Sequence, residues 1–174
     1  MPRHKLISDL EVLDAALSIF AREGNKGVSF GMIGKASGLA PATLVQRFVS
    51  REALFAATIA LGWTRAMATF DRIEADIPPN GHNAVAFLKA LGDMLGAPPL
   101  GALLLASQGH DLGAKAGAFR QAIEASLQTR IEKGPNQVAE TAAAVFAAWQ
   151  GRILWQGTQG SDFRLRQIMK KKQS

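Results

Sequence analysis

Residues Ser29 to Phe48 read SFGMIGKASGLAPATLVQRF. Two short helical patterns meet there at a glycine-centred turn. The second, from Pro41, offers small and hydrogen-bonding side chains before closing on the aromatic Phe48. That is the layout of a helix-turn-helix, whose second helix enters the major groove of duplex DNA. Ser29 is placed to cap the first helix, which carries Met32, Ile33 and Ala36, and Gly38 permits the sharp reversal with Leu39 turned inward. Pro41 suits the first turn of the next helix, where a missing N–H leaves no intrahelical bond unmade. Leu44 and Phe48 lie four apart and face one core, so the residues between them face out.

Upstream, Ser8 and Glu11 form a capping box, and Leu10, Leu13, Leu17 and Phe20 recur on one helical face. Gly24 stops that helix, and in GNKG the residues Asn25 and Gly27 tolerate unusual backbone angles. Leu13, Leu17 and Phe20 are expected to join Leu44 and Phe48 in a three-helix core. Downstream, Ser50 caps a helix whose face carries Leu54, Ala57 and Leu61 and which extends to the mid-seventies, where DIPPNGH (Asp76–His82) ends it. Further helices are expected over Ala84–Leu95, Leu100–Ser107 and Leu112–Lys133, separated by GAPP, GHD and GPN.

From Gln137 to Gln156, the residues Val138, Ala142, Val145, Trp149 and Ile153 mark an apolar face, beside a small-residue strip of Ala143, Ala147 and Gly151. A last helix from about Asp162 carries Phe163, Leu165, Ile168 and Met169. Two late helices of this kind pair with the same helices of a second subunit as a four-helix bundle, which makes Val138, Ala142, Val145, Trp149, Ile153, Phe163 and Ile168 the expected homodimer interface. The alternative is an intrachain core helix followed by a tail. No strand alternation or internal repeat interrupts the helical pattern. The fold class is therefore all-α: a three-helix helix-turn-helix DNA-binding domain over residues 1–52, then a helical effector-binding and dimerisation domain over 53–174.

Composition limits the chemistry. The chain has 174 residues, enough for a sizeable core, and no cysteine, which removes disulfides and thiolate chemistry. Its three histidines, His4, His82 and His110, lie far apart without metal-ligand spacing, so no metal and no cofactor are expected. The formal charge of +6 is uneven: residues 1–65 carry eight Lys/Arg against five Asp/Glu, and residues 66–160 seven against eight. A basic first segment fits attraction to phosphate, and the near-neutral middle does not. Asp9, Glu11 and Asp14 break what would be a signal-peptide segment, and no run of about 18 apolar residues follows, so a soluble cytoplasmic protein without membrane contact is expected.

With Pro41–Phe48 in a major groove, Ala42, Thr43, Gln46 and Arg47 are the side chains near base edges or phosphates. Glutamine pairs bidentately with adenine, arginine recognises guanine or phosphate, and a threonine methyl meets thymine. Ser29 with its helix amides is placed for a phosphate in addition to its capping role, and Lys35 and Arg51 flank the backbone. The KKK at Lys170–Lys172 reads as a charged tail that needs no DNA to explain it.

The stretches VLDAALSIFAREG and IGKASGLAPATLVQRFVSREALF, with the helical remainder, resemble the TetR family of bacterial transcriptional regulators over roughly residues 10–60. Ala15, Phe20 and Gly24 match its first helix, Ile33, Ala36 and Gly38 its second helix and turn. Leu44, Phe48, Arg51 and Leu54 match the end of recognition and the start of the connecting helix. In the family a tyrosine that touches phosphate commonly follows the leucine represented here by Leu44. Val45 stands in its place within the DNA-facing set, so that hydrogen bond does not carry over, whereas Arg51 matches a basic phosphate-contacting position.

The resemblance implies a repressor that leaves a palindromic operator when a small molecule binds the second domain. Trp63, Met67, Phe87, Leu91, Leu103, Leu104, Phe119, Ile123 and Trp149 are the apolar candidates for such a site, with Gln108 or His110 as polar contacts, and they point to an apolar or aromatic effector. Each of the apolar residues has helix packing as its plainer role. Asp93, His110 and Asp111 come with no pattern of nucleophile, base and orienting group, so catalysis is not expected. A helical dimeric interaction module with weakened DNA recognition is the alternative, and Val45 is the residue in its favour.

Overall fold

The computed structural model describes residues 7–96, 99–108 and 112–154, the side chains of residues 135 and 136 excepted. All regular structure among them is helical: α1 (Asp9–Glu23), a 3-10 turn (Gly24–Gly27), α2 (Phe30–Ser37), α3 (Pro41–Phe48), α4 (Arg51–Asp76), α5 (Ala84–Met94), α6 (Leu100–Ser107), α7 (Gly113–Arg130) and α8 (Pro135–Leu154). The helix expected from Asp162, with Phe163 and Ile168, lies outside the described residues, as do His110, Asp111 and Lys170–Lys172. By packing, the described residues divide into two compact units, those within Met1–Arg65 and Ala97–Lys115 and those within Ala66–Gly96 and Ala116–Ser174. Helix α4 is one unbroken helix whose first part packs with the head, and α6 packs there too.

In the first unit the caps are those the sequence dictates. Ser8 and Glu11 close a reciprocal capping box, with the Ser8 amide donating to Glu11 Oε2 at 2.8 Å and the Glu11 amide to Ser8 Oγ at 3.2 Å. Ser29 Oγ accepts from the Met32 amide at 3.3 Å, and Ser50 Oγ from the Ala53 amide at 3.0 Å.

Three of the expected faces are corrected. On α1 the buried stripe is Val12, Ala16, Leu17, Ile19 and Phe20, while Leu10 is exposed and Leu13 half-buried. Two overlapping apolar stripes share Leu17 and Phe20, and packing selects the one that includes Val12. On α2, only two turns long, Ile33 and Gly34 are buried, whereas Met32 and Ala36 are exposed. On α4 the core row is Leu54, Phe55, Ile59 and Trp63, with Ala57 and Leu61 at its margin. Phe55 meets Phe20 edge-on at 5.8 Å, joining α4 to the head core. Trp63 donates its indole N–H to Ser107 Oγ at 2.8 Å, and that hydroxyl donates to the Leu103 carbonyl at 2.7 Å, so this polar tip is satisfied inside α4–α6 packing.

The second unit packs Phe70 and Ile73 of α4 with Phe87, Leu88 and Leu91 of α5, Phe119, Ile123 and Leu127 of α7, and Ala142, Val145, Phe146 and Trp149 of α8. Arg130 is fully buried in it. Its guanidinium donates to Ser126 Oγ at 2.9 Å, Asn83 Oδ1 at 3.2 Å and Glu74 Oε2 at 2.8 Å, and lies 4.3 Å from the centre of the Phe87 ring. One side chain thereby ties the end of α4, the residue before α5, and α7. Helix α4 is long and apolar enough, by length and composition alone, to cross a membrane, and 44% of its most apolar window is buried in the fold.

Candidate nucleic-acid interface

The placement of α3 depends on two glycines. Gly38 takes a left-handed conformation (φ 76°, ψ 10°), and its amide donates to the Gly34 carbonyl at 2.8 Å, ending α2. Gly34 itself is buried, and a Cβ there would lie 2.7 Å from the Leu39 carbonyl oxygen and 3.6 Å from Pro41 Cδ. The turn folds back onto this bare Cα, a requirement that the sequence reading, which named Gly38 alone, did not see. Helix α3 then starts on Pro41 and ends at Val49, whose φ of 66° and ψ of −53° place a β-branched residue in a region disfavoured by its side chain. The Ser50 amide donates to the Phe48 carbonyl at 2.6 Å across it, a γ-turn that sets the exit toward α4.

On α3, Leu44 is fully buried, Thr43, Arg47 and Phe48 are half-buried, and Ala42, Val45 and Gln46 are exposed. Lys35 on α2 is exposed, and Ser29 is half-buried and engaged as a cap. The two arginines are tied within the head. Arg47 Nη1 donates to the Ile7 carbonyl at 2.7 Å and to Asp9 Oδ1 at 3.3 Å. Arg51 donates from Nε to the Val28 carbonyl at 2.9 Å and from Nη2 to the carbonyl and Oδ1 of Asn25 at 2.7 and 3.0 Å. Both therefore position elements: Arg47 holds α3 to the start of α1, and Arg51 holds α4 to the turn before α2.

Residues 12–58, from α1 through the first turns of α4, match the family model described as bacterial regulatory proteins, tetR family. The match covers the N-terminal helix-turn-helix region. A helix-turn-helix of this family is a DNA-binding element of transcription regulation. Beyond the matched stretch the described residues are all helical, α4 continuing past it and α5 to α8 following. A comparison with curated proteins gave no match. Among the described residues no group of three or more His, Cys, Asp or Glu is placed to hold a metal ion.

The effector candidates separate. Trp63 and Leu103 are buried in the first unit; Phe87, Leu91, Phe119, Ile123 and Trp149 are buried in the second, and Met67 is half-buried. Of these, Trp149 lines an open cleft of about 360 Å³ between α5 and α8, together with Val85, Ile153, Lys89, Asp93 and Arg152. Its indole N–H is already donated to the Leu88 carbonyl at 2.9 Å. Within the expected dimer set, Ala142, Val145 and Trp149 are buried by their own chain, and Val138 and Ile153 are half-buried. The neighbouring small-residue strip is more open: Ala147 is exposed, and nothing lies within 4 Å of a Cβ built on Gly151.

Proposed function

We propose that this chain is a cytoplasmic transcriptional repressor that binds a palindromic operator as a homodimer and is released by a small apolar or aromatic effector. The DNA-reading domain is residues 1–52 and the effector and dimerisation domain is 53–174. The observation that carries the reading is the head itself: a TetR-family helix-turn-helix whose α3 is held by buried Leu44 and presents Ala42, Val45 and Gln46 to solvent. The basic excess of residues 1–65 supports phosphate attraction, with exposed Lys35 as a backbone contact. Thr43 and the amides at the Ser29 end of α2 complete the phosphate and base contacts, and Arg47 and Arg51 act by fixing where those groups stand.

For the dimer, the open strip Ala143, Ala147 and Gly151 supports close approach of a second α8, with Val138 and Ile153 at its edges. For the effector, the α5–α8 cleft offers a ligand the apolar surfaces of Val85, Trp149 and Ile153 beside the charged Lys89, Asp93 and Arg152. Release follows if that ligand favours one of two dimer geometries. Repression follows from a dimer that covers promoter DNA without needing a recruiting surface. The exposed Val45 and Val49 favour a second reading, a helical dimeric interaction module with weakened DNA recognition.

The experiment is selection from fragmented genomic DNA with purified protein at fixed physiological salt, followed by sequencing of the retained fragments. Recovery of a short palindrome supports the repressor reading. Weak retention that ignores sequence, from protein shown to carry no bound small molecule, rejects it in favour of the interaction module.

A further inference from the structure

The exposed face of α3 is Ala42, Val45 and Gln46, spaced i, i+3 and i+4, on the side of the helix away from buried Leu44, and exposed Val49 follows at the helix end. Val45 is 44% and Val49 80% exposed. The stripe carries no charge. Guanine is read in the major groove chiefly by a two-pronged donor, arginine or lysine, on O6 and N7. α3 contains no lysine, and its one arginine, Arg47, is half-buried with Nη1 held by the Ile7 carbonyl and the Asp9 carboxylate. Set against a G·C pair, Ala42 and Val45 would strip water from acceptors they cannot satisfy. The apolar group that a base pair offers in this groove is the thymine C5-methyl, and the side-chain amide of Gln46 matches N6 and N7 of adenine.

We infer that α3 reads A·T pairs, with Val45 packing on thymine methyls as the main specificity determinant and Gln46 on adenine. This inference rests on the DNA-binding reading above.

The test uses the full-length protein and the palindrome recovered by genomic selection. Thymines are replaced one at a time by deoxyuridine, which pairs identically but lacks the methyl, and affinity is read by fluorescence anisotropy at fixed salt. Loss of a contacted methyl is expected to weaken binding about fourfold, and the symmetric pair of replacements about the square of that. In Val45→Ala, a change at an exposed helical site, the affinity for the thymine duplex falls and the deoxyuridine penalty at the same position disappears. Lys35→Ala, by contrast, weakens thymine and deoxyuridine duplexes equally. A palindrome whose contacted positions are guanines, a wild-type protein indifferent to deoxyuridine, or a penalty that persists in Val45→Ala overturns the inference while leaving sequence-specific binding intact. Failure to select any sequence overturns the DNA-binding reading and this inference with it.

Discussion

Two glycines three residues apart on α2 give a matched pair for testing how the recognition helix is placed. A Cβ on Gly31 meets nothing within 4 Å, whereas a Cβ on Gly34 lies 2.7 Å from the Leu39 carbonyl oxygen. That oxygen is backbone, in the turn between α2 and α3, and it cannot swing aside as a side-chain end does. Replacing either glycine by alanine brings a helix-propensity gain of up to about 1 kcal/mol. The gain is smaller at Gly31 because it sits in the first turn. Forcing a methyl into the filled turn at Gly34 adds an overpacking cost of about 1–3 kcal/mol. Gly31→Ala is therefore neutral or stabilising, and Gly34→Ala is less stable than Gly31→Ala by about 0.5–2.5 kcal/mol, the overpacking cost less the few tenths by which the propensity gain at Gly34 is larger. Urea denaturation of both variants, followed by circular dichroism, reads the difference from the shift in midpoint. Gly34→Ala should also lose operator affinity under conditions where it remains folded, because relief of the clash moves α3. Equal stability of the two variants would refute the account of the turn.

Val49→Gly is expected to stabilise the protein by about 1 kcal/mol. Release of a strained positive-φ conformation, about 1–3 kcal/mol, outweighs the backbone entropy of glycine, about 0.5–1 kcal/mol, and the side chain is 80% exposed; a lower denaturation midpoint contradicts this. Glu74→Ala leaves the guanidinium of the fully buried Arg130 without its carboxylate and should destabilise by about 3–5 kcal/mol, and Arg130→Lys should also destabilise because an ammonium cannot span Glu74, Ser126 and Asn83; wild-type stability of either variant argues against the network. Arg51→Lys removes the ties to Val28 and Asn25 and should cost about 1–2 kcal/mol of stability, measured by thermal or urea unfolding; an unchanged midpoint with lower DNA affinity would instead make Arg51 a direct phosphate contact.

The parts of this fold that were legible in the sequence are those fixed by short-range rules. Ser8, Ser29, Ser50, Gly38 and Pro41 each act through bonds or backbone angles within four residues, so their roles follow from spacing alone. Helix faces were read less well, because α1 holds two overlapping apolar stripes and only contact with α2 and α4 decides between them. The start of α8 at Pro135 and the end of α7 at Arg130 shifted by a few residues from the sequence reading for a similar reason, since Gly134 and Pro135 support either boundary. Long-range ties were not legible. Nothing near Arg47 in sequence announces Ile7 and Asp9, nothing near Arg130 announces Glu74, and the need for a bare Cα at Gly34 is set by a carbonyl in the following turn. The sequence thus showed which residues stand around the recognition helix but not which of their polar groups were already engaged.

The central claim is sequence-specific reading of duplex DNA by a dimer of this chain. Its most direct test compares the affinities for the selected palindrome and for a scrambled duplex of the same composition at one salt concentration, with protein-to-DNA stoichiometry measured on the same samples. The account predicts a ratio of about 10³ or more with two protomers per palindrome. A ratio near one would contradict it.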